Sequence, residues 1–240
     1  MKKIKFYSFS EKTEGFAQPP SPASKFVPEW YRRQPGSIDD AAAIPKGGMT
    51  STIKRCMPIF DLMTAGYMIT APCDIYIDAT NPDKLAWSVP QALKAFGSDL
   101  VATHGIEQYN HYPIDKNKYH KDLFRIMPFW VVQTPPGYSA LIMNPMHQDH
   151  QPFWAFGGII DTDKFLSDGH FSFMIEKDFK GIIKQGTPLV QVIPIKRDDW
   201  ESEAIDAKES APLFLKQRLN VRSVFTNAYK LKFRQEKKYK

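Results

Sequence analysis

Cysteine is almost missing from this sequence: Cys56 and Cys73 are the only two among 240 residues. Two thiols cannot form a thiolate zinc site alone, and they exclude a disulfide framework. Their spacing asks for no bridge, so both are expected to be reduced and largely buried. Long hydrophobic runs are lacking as well. No 18-residue apolar stretch occurs, so no transmembrane helix is expected. The opening MKKIKFYSFSEK is basic without an apolar stretch of signal-sequence length. Charge of one sign is in short supply too. Lys and Arg number 32 against 26 Asp and Glu, a balance of +6, which permits a nucleic-acid or acidic partner without requiring one. Serine nucleophile elbows, phosphate-binding P-loops, dinucleotide fingerprints and H-E-x-x-H motifs are all absent.

What is present is the composition of a folded chain. Hydrophobic residues make up 42%, aromatics 13%, and prolines number 19. A chain of this length buries roughly 70% of its extended surface and holds a core without staples. Residues 1–240 are therefore read as a single domain. Prolines this widely spread break long helices and favour strands joined by turns.

The stretch KIKFYSF reads as a short strand with Ile4, Phe6 and Phe9 facing a core. Residues 13–48 read as a long arm or loop. Pro19, Pro20, Pro22, Pro28, Pro35 and Pro45 and the pair Gly47-Gly48 keep it irregular, while Phe26, Trp30 and Tyr31 anchor it to a folded surface. PEWYRR is a helical turn entered through Pro28. The arm either clamps its own subunit or embraces another, which makes Phe26, Trp30 and Tyr31 the candidate interface residues. Pro58 then opens a short helix with Ile59, Leu62 and Met63 on one face and Gly66 at its end. Tyr67, Ile69 and the alternation in CDIYID indicate strands. Residues 80–92 read as a loop anchored by Trp87, 91–99 as a short helix, and the polar, aromatic stretch 105–122 as a surface connection.

The clearest pattern lies at 124–195. FRIMPFWVVQTPPGYSALIMNPM gives two strands about a PPG turn, and FWAFGGIIDTDKF another strand and turn. HFSFMIEKD alternates, with Phe171, Phe173 and Ile175 on one face. A tight turn at Gln185-Gly186 precedes the strand from Leu189 to Ile195. Short strands at this spacing indicate a β-roll or barrel rather than alternating βα units. Gln191 sits in an otherwise apolar strand and must satisfy its amide, which points to hydrogen bonds with neighbouring backbone. One or two helices are expected over 198–218. The twelve residues from Tyr229 carry six basic and one acidic side chain. They read as a solvated, partly frayed terminus, with phosphate-backbone contact as the other reading.

The order PPGY, GGIIDTD, GIIKQGTPLVQVIPI resembles the β-clip fold of the trimeric dUTPases and the dCTP deaminases. The matching residues are Pro136-Gly137-Tyr138, Gly158-Ile159-Ile160-Asp161, and Gly186 through Thr187, Pro188, Leu189, Val190, Gln191, Val192 and Ile193. The resemblance covers about a third of the chain. It implies Tyr138 and Gln191 as candidate substrate-binding residues, and Asp161 with Asp163 as candidate catalytic carboxylates. Several departures accompany it. Asn144-Pro145-Met146 stands where those enzymes carry an arginine-serine pair, and Lys164-Phe165 follows the turn where a base-stacking tyrosine is expected. Asp168-Gly169-His170 offers no glutamate before Glu176, and the glycine-rich C-terminal tail is replaced by a basic one. More broadly, PEWYRR, IKRCMPIFDLMTAGYMI and the stretch from PPGY to VIPIKRDDW resemble an uncharacterised protein family of bacteria and tailed phages, which implies a viral origin and no agreed activity.

Asp161 and Asp163, spaced i, i+2 beside a turn, could bind Mg²⁺ or activate water for a phosphoanhydride; Asp161 could equally cap its own turn. His147 and Asp149 have the H-x-D spacing of two ligands of an iron facial triad, with His170 as the third. It follows Asp149 by only 21 residues, where a jelly-roll oxygenase interposes most of its strands. The competing reading of His147, Asp149 and neighbouring His150 is an exposed polar loop. His104, His111 and His120 set no helical face. Phe129, Trp130, Phe153, Trp154 and Phe156 read as core rather than a base-stacking platform.

The expected fold is mainly β: a β-clip-like roll or barrel core at 120–197, a few short helices, the long N-terminal arm at 13–48, and a helical, basic C-terminal segment at 198–240. The expected function is that of a non-catalytic structural or interaction protein, phage-encoded, on a dUTPase-like scaffold. The alternatives are a nucleotide-directed hydrolase or deaminase with a rearranged site, and a metal-dependent oxygenase. No cofactor is expected, with Mg²⁺ reserved for the nucleotide enzyme. Self-association is expected, a trimer ahead of a dimer, alongside a protein partner. Nucleic acid is disfavoured and a membrane is not expected. The expected location is the cytoplasm, that of the host for a phage protein, with the virion as the other location.

Overall fold

The computed structural model describes residues 2–8, 11–39, 49–91, 100–127, 129–166, 170–223 and 227–240. Phe9, Pro45, Gly47-Gly48, Asp168-Gly169 and residues 92–99 of the helix expected over 91–99 lie outside the described residues.

The first elements are β1 (Lys5–Ser8), α1 (Glu11–Glu14), β2 (Ser21–Pro22), α2 (Glu29–Arg33), β3 (Ser37–Asp39), β4 (Met49–Ser51) and α3 (Met57–Met63). Strands then dominate: β5 (Tyr67–Thr70), β6 (Ile75–Asp78), β7 (Ala86–Ser88), β8 (Val101–His104), β9 (Leu123–Ile126), β10 (Trp130–Gln133), β11 (Tyr138–Met143) and β12 (Phe153–Ala155). They continue with β13 (Gly158–Ile160), β14 (Phe171–Ile175), β15 (Lys180–Ile183) and β16 (Pro188–Lys196), before α4 (Ala207–Arg222) and α5 (Ala228–Lys232).

The fold is mainly β, and every strand pair is antiparallel. A five-stranded sheet runs β13-β11-β16-β5-β2, and a four-stranded sheet runs β12-β14-β9-β8. A three-stranded sheet, β15-β6-β7, and the pairs β1-β10 and β3-β4 complete the set. The sheets stay open: none of the described strands closes a barrel. Period-two alternation decides which faces turn inward. Phe173 and Ile175 of β14 are buried, and they meet Phe124 and Ile126 of β9 and Ile75 and Ile77 of β6 in one apolar core with Val190 and Val192 of β16. Burying each such side chain contributes about 1.5–3 kcal/mol. Pro194 pairs with Ala140 of β11 beyond Val192, the last residue of β16 with a partner in β5. Proline is tolerated there because one of its two sides no longer faces a strand.

Helix α3 forms as the sequence indicates, with Pro58 in its first turn, where a missing N–H costs no helical bond. Met63 is buried, and the chain turns at Gly66 with φ +68°. A Cβ at Gly66 would fall 2.0 Å from the Val192 carbonyl oxygen, so this position needs glycine for both its backbone and its space.

Two expectations change. The segment 80–92 is not wholly loop: Ala86–Ser88 pairs with β6, and Trp87 meets Phe124 edge-on at 6.4 Å. The arm packs on its own chain, with Ala17, Ala23 and Tyr31 buried and β2 joined to β5. The basic tail is docked rather than frayed. Arg234 and Lys237 both reach Asp61, at 2.6 and 2.9 Å, and Tyr239 packs edge-on against Tyr67 at 6.0 Å. Among the described residues no helix is long and apolar enough to cross a membrane.

Candidate functional site

Asp161 and Asp163 follow β13, and antiparallel pairing of β13 with β11 brings them beside Ser139. Strand β16 pairs with β11 on its other side and delivers Arg197 just past its end. The four side chains meet there. Arg197 Nη1 donates to Asp163 Oδ1 at 2.9 Å, Asp161 Oδ1 at 3.2 Å and Ser139 Oγ at 3.0 Å. Its Nη2 donates to Asp163 Oδ2, which also accepts the Gly137 N–H at 2.9 Å. Ser139 Oγ donates to Asp161 Oδ1 at 2.6 Å. The Arg197 hydrogen bonds hold the Asp163 carboxyl down at about 2.

The chemistry of this cluster follows from its charges. Both Asp163 oxygens are engaged, and the Arg197 guanidinium offsets one of the two negative charges. A divalent cation seated between the two carboxylates would compete with Arg197 for them. The arrangement is a clasp that fastens the ends of β11, β13 and β16. Ser139 and Arg197 escaped the sequence reading because no local spacing joins them to Asp161; only the strand pairing does.

Tyr138, half-buried on β11, has Lys2 Nζ 4.1 Å from its ring centre and bonded to its hydroxyl. Its carbonyl accepts Thr134 Oγ1 at 2.7 Å and Arg197 Nη1 at 3.1 Å. Gln191 is completely buried. Its Nε2 donates to the carbonyls of Leu62 and Ala65 at 2.8 and 2.7 Å, and its Oε1 accepts the Met146 N–H at 3.2 Å. This amide bridges the end of α3, β16 and the loop after β11, with both donors and its acceptor engaged.

His147 and Asp149 line one cavity of about 550 Å³, together with His150 and Glu176; His170 does not line it. His147 takes a left-handed backbone, φ +58°, and its carbonyl accepts Trp30 Nε1 at 3.0 Å. His150 faces Glu176 at 3.2 Å. Among the described residues no group of three His, Cys, Asp or Glu side chains is placed to hold a metal ion. His120 is buried, with Nδ1 accepting the Asp122 N–H at 3.0 Å and Nε2 2.9 Å from the Asn81 carbonyl, so it serves as a hydrogen-bonded core histidine.

Of the arm aromatics, Tyr31 is stacked on Phe60 at 5.7 Å, and its hydroxyl donates to the Lys54 carbonyl at 3.1 Å. Trp30 meets Tyr31 edge-on at 5.5 Å. Phe26 is half-buried at the end of a 3₁₀ turn. The contacts of Trp30 and Tyr31 are within the chain.

The unpartnered surface lies elsewhere. Helix α4 has no buried residue, although Leu213, Phe214, Leu215 and Leu219 are each at least 60% exposed. At 100° per residue, Leu215 and Leu219 fall on one side, Phe214 and Val221 on another. Trp200, in the approach to α4, is 89% exposed. Asp198, Asp199, Glu201, Glu203 and Asp206 make that approach acidic, while Lys208, Lys216, Arg218 and Arg222 against Glu209 make α4 basic. These residues set no single apolar stripe in the sequence. No protein-family model matches this chain, and no curated protein matches it.

Proposed function

We propose that this chain is a non-catalytic structural or interaction protein that works as a homo-oligomer, assembled through residues 198–222. The observation that carries this reading is the exposure of Leu213, Phe214, Leu215 and Leu219 on a 16-residue helix that buries nothing within its own chain. A helix of this length draws most of its stability from packing, and large apolar side chains on two of its sides need cover. A second copy suits the surface by charge. The five carboxylates of the 198–206 approach complement the basic α4, and a self-complementary exchange satisfies both strips at once. The carboxylate clasp with Arg197 supports the non-catalytic half of the reading.

Light scattering during size exclusion tests it. The wild-type chain is expected to run as a multiple of the chain mass, and the double substitution Leu215→Glu and Leu219→Glu to run as a single chain with unchanged β-sheet circular dichroism. A monomeric wild type at the highest accessible concentration sinks the assembly. Magnesium-dependent turnover of dUTP or dCTP that disappears in Asp161→Ala sinks the non-catalytic reading.

A further inference from the structure

The arm, α3 and the C-terminal tail line an open cleft of about 510 Å³. Its wall carries Arg32, Lys54, Arg55, Lys230 and Arg234, and among the described residues no aspartate or glutamate lines it. Tyr31, Met57 and Phe60 form an apolar floor, with Lys54 Nζ 4.4 Å from the Tyr31 ring centre and the Arg234 guanidinium 5.8 Å from that of Phe60. These residues come from three segments up to two hundred positions apart, so the cluster is a product of the fold and not of a basic run.

Of the five cations only Arg234 is paired with a described carboxylate. Arg234 is committed to Asp61, which Lys237 also holds, and these two hold its carboxyl below the ordinary aspartate range. Arg32 spends its Nε on the Val27 carbonyl at 3.0 Å and keeps its remaining guanidinium donors. Lys54 spends donors on the carbonyls of Tyr31 and Arg32. Neither Arg32, Lys54, Arg55 nor Lys230 forms an ion pair with any described carboxylate. Cations gathered in a concave, partly apolar site repel one another, and field lines focused there favour an anion of matching charge. Guanidinium forks match phosphate oxygens in pairs, whereas an ammonium meets them as a point charge.

We propose that this cleft binds a small oligophosphate, its phosphates held by Arg32, Arg55 and Lys230. The size decides the class. The cleft, though open to solvent, falls within the roughly 300–1,000 Å³ range of small-molecule sites, whereas a nucleic acid needs a basic track that continues along its backbone. A second basic cavity, of about 320 Å³, is lined by Lys2, Lys3 and Lys5 but contains Asp163, and so serves as an internal comparison.

The probe is inorganic tripolyphosphate, titrated calorimetrically into the full chain at moderate salt. Binding is expected at one site per chain with a submillimolar Kd. Arg55→Gln and Lys230→Gln are expected to weaken it by about tenfold each, with the thermal midpoint unchanged because neither side chain is ion-paired. The control pair Lys3→Gln and Lys5→Gln is expected to leave the Kd where it was. Absence of heat at millimolar tripolyphosphate, or equal losses in the control pair, overturns the proposal. So does a single-stranded oligonucleotide of about 20 residues that binds more tightly than tripolyphosphate and loses affinity in the same two variants, since the ligand class would then be nucleic acid.

Discussion

Replacing Gln191 by methionine keeps the volume of the side chain and removes every polar atom beyond its backbone. Three hydrogen bonds disappear: those to the Leu62 and Ala65 carbonyls and that from the Met146 N–H. The Leu62 carbonyl still accepts the Ala65 N–H at 3.3 Å. The Ala65 carbonyl and the Met146 N–H lose the partner that Gln191 provides. Each bond contributes about 1 kcal/mol net, and each stranded buried group adds about 1–3 kcal/mol. Relief from no longer burying an amide offsets part of this, leaving a loss of about 3–5 kcal/mol. One kcal/mol moves the midpoint of a chain this size by about 2–4 °C, so thermal unfolding is expected roughly 10 °C earlier. Gln191→Glu gives the sharper diagnosis. Its carboxylate would face two carbonyl oxygens, and burial raises the folded-state pKa above the unfolded value of about 4.3. That variant is therefore expected to be least stable at neutral pH and to regain stability, relative to wild type, as pH falls through the raised folded pKa. Urea unfolding across pH reads both effects. A methionine variant within about 1 kcal/mol of wild type would refute the bridge and return Gln191 to the candidate ligand-binding residues.

Two further outcomes follow from the titratable groups. Asp163 titrates at about 2 in the fold against about 3.9 when unfolded, so the clasp with Arg197 stabilises fully above about pH 4 and that contribution fades as pH falls towards about 2. Unfolding of Arg197→Gln is expected to show a shallower acid dependence over that window, and identical pH profiles would count against the clasp. Cys73 is buried, with its thiol pushed up to about 11 by burial, whereas Cys56 is half-buried. Mass spectrometry after brief iodoacetamide treatment at pH 8 should find the label on Cys56, and early modification of Cys73 would contradict its placement.

The elements that were legible in the sequence are those whose signals are local. The alternation of Phe171, Phe173 and Ile175 fixes the face of β14, and Pro58 with Gly66 brackets α3, because each is a property of a few consecutive residues. Pairing is a different matter. Nothing near Arg197 points to Asp163, and nothing near Arg234 points to Asp61. Those meetings depend on which strands lie side by side, and period-two alternation is the same for every choice of neighbour. Trp87 does anchor its segment on Phe124, but loop-like flanks hide the three-residue strand that carries it. The tail's charge density argues for water in the sequence, and only the fold brings Asp61 to it.

The place of β16 in the large sheet has a consequence for how the chain is made. It is the last strand among the described residues, yet it lies in the middle, between β11 and β5. A chain emerging from the ribosome at about 5–20 residues per second presents β5 and β11 long before the strand that joins them. Through that interval both carry unpaired N–H and C=O groups beside residues as apolar as Met68, Ile69 and Ile142. Closure is a late, non-local event, so folding is expected to be slow and to pass through a sticky half-sheet that a holding chaperone would protect. A nascent chain arrested before Pro188 is accordingly the form of this protein most exposed to aggregation.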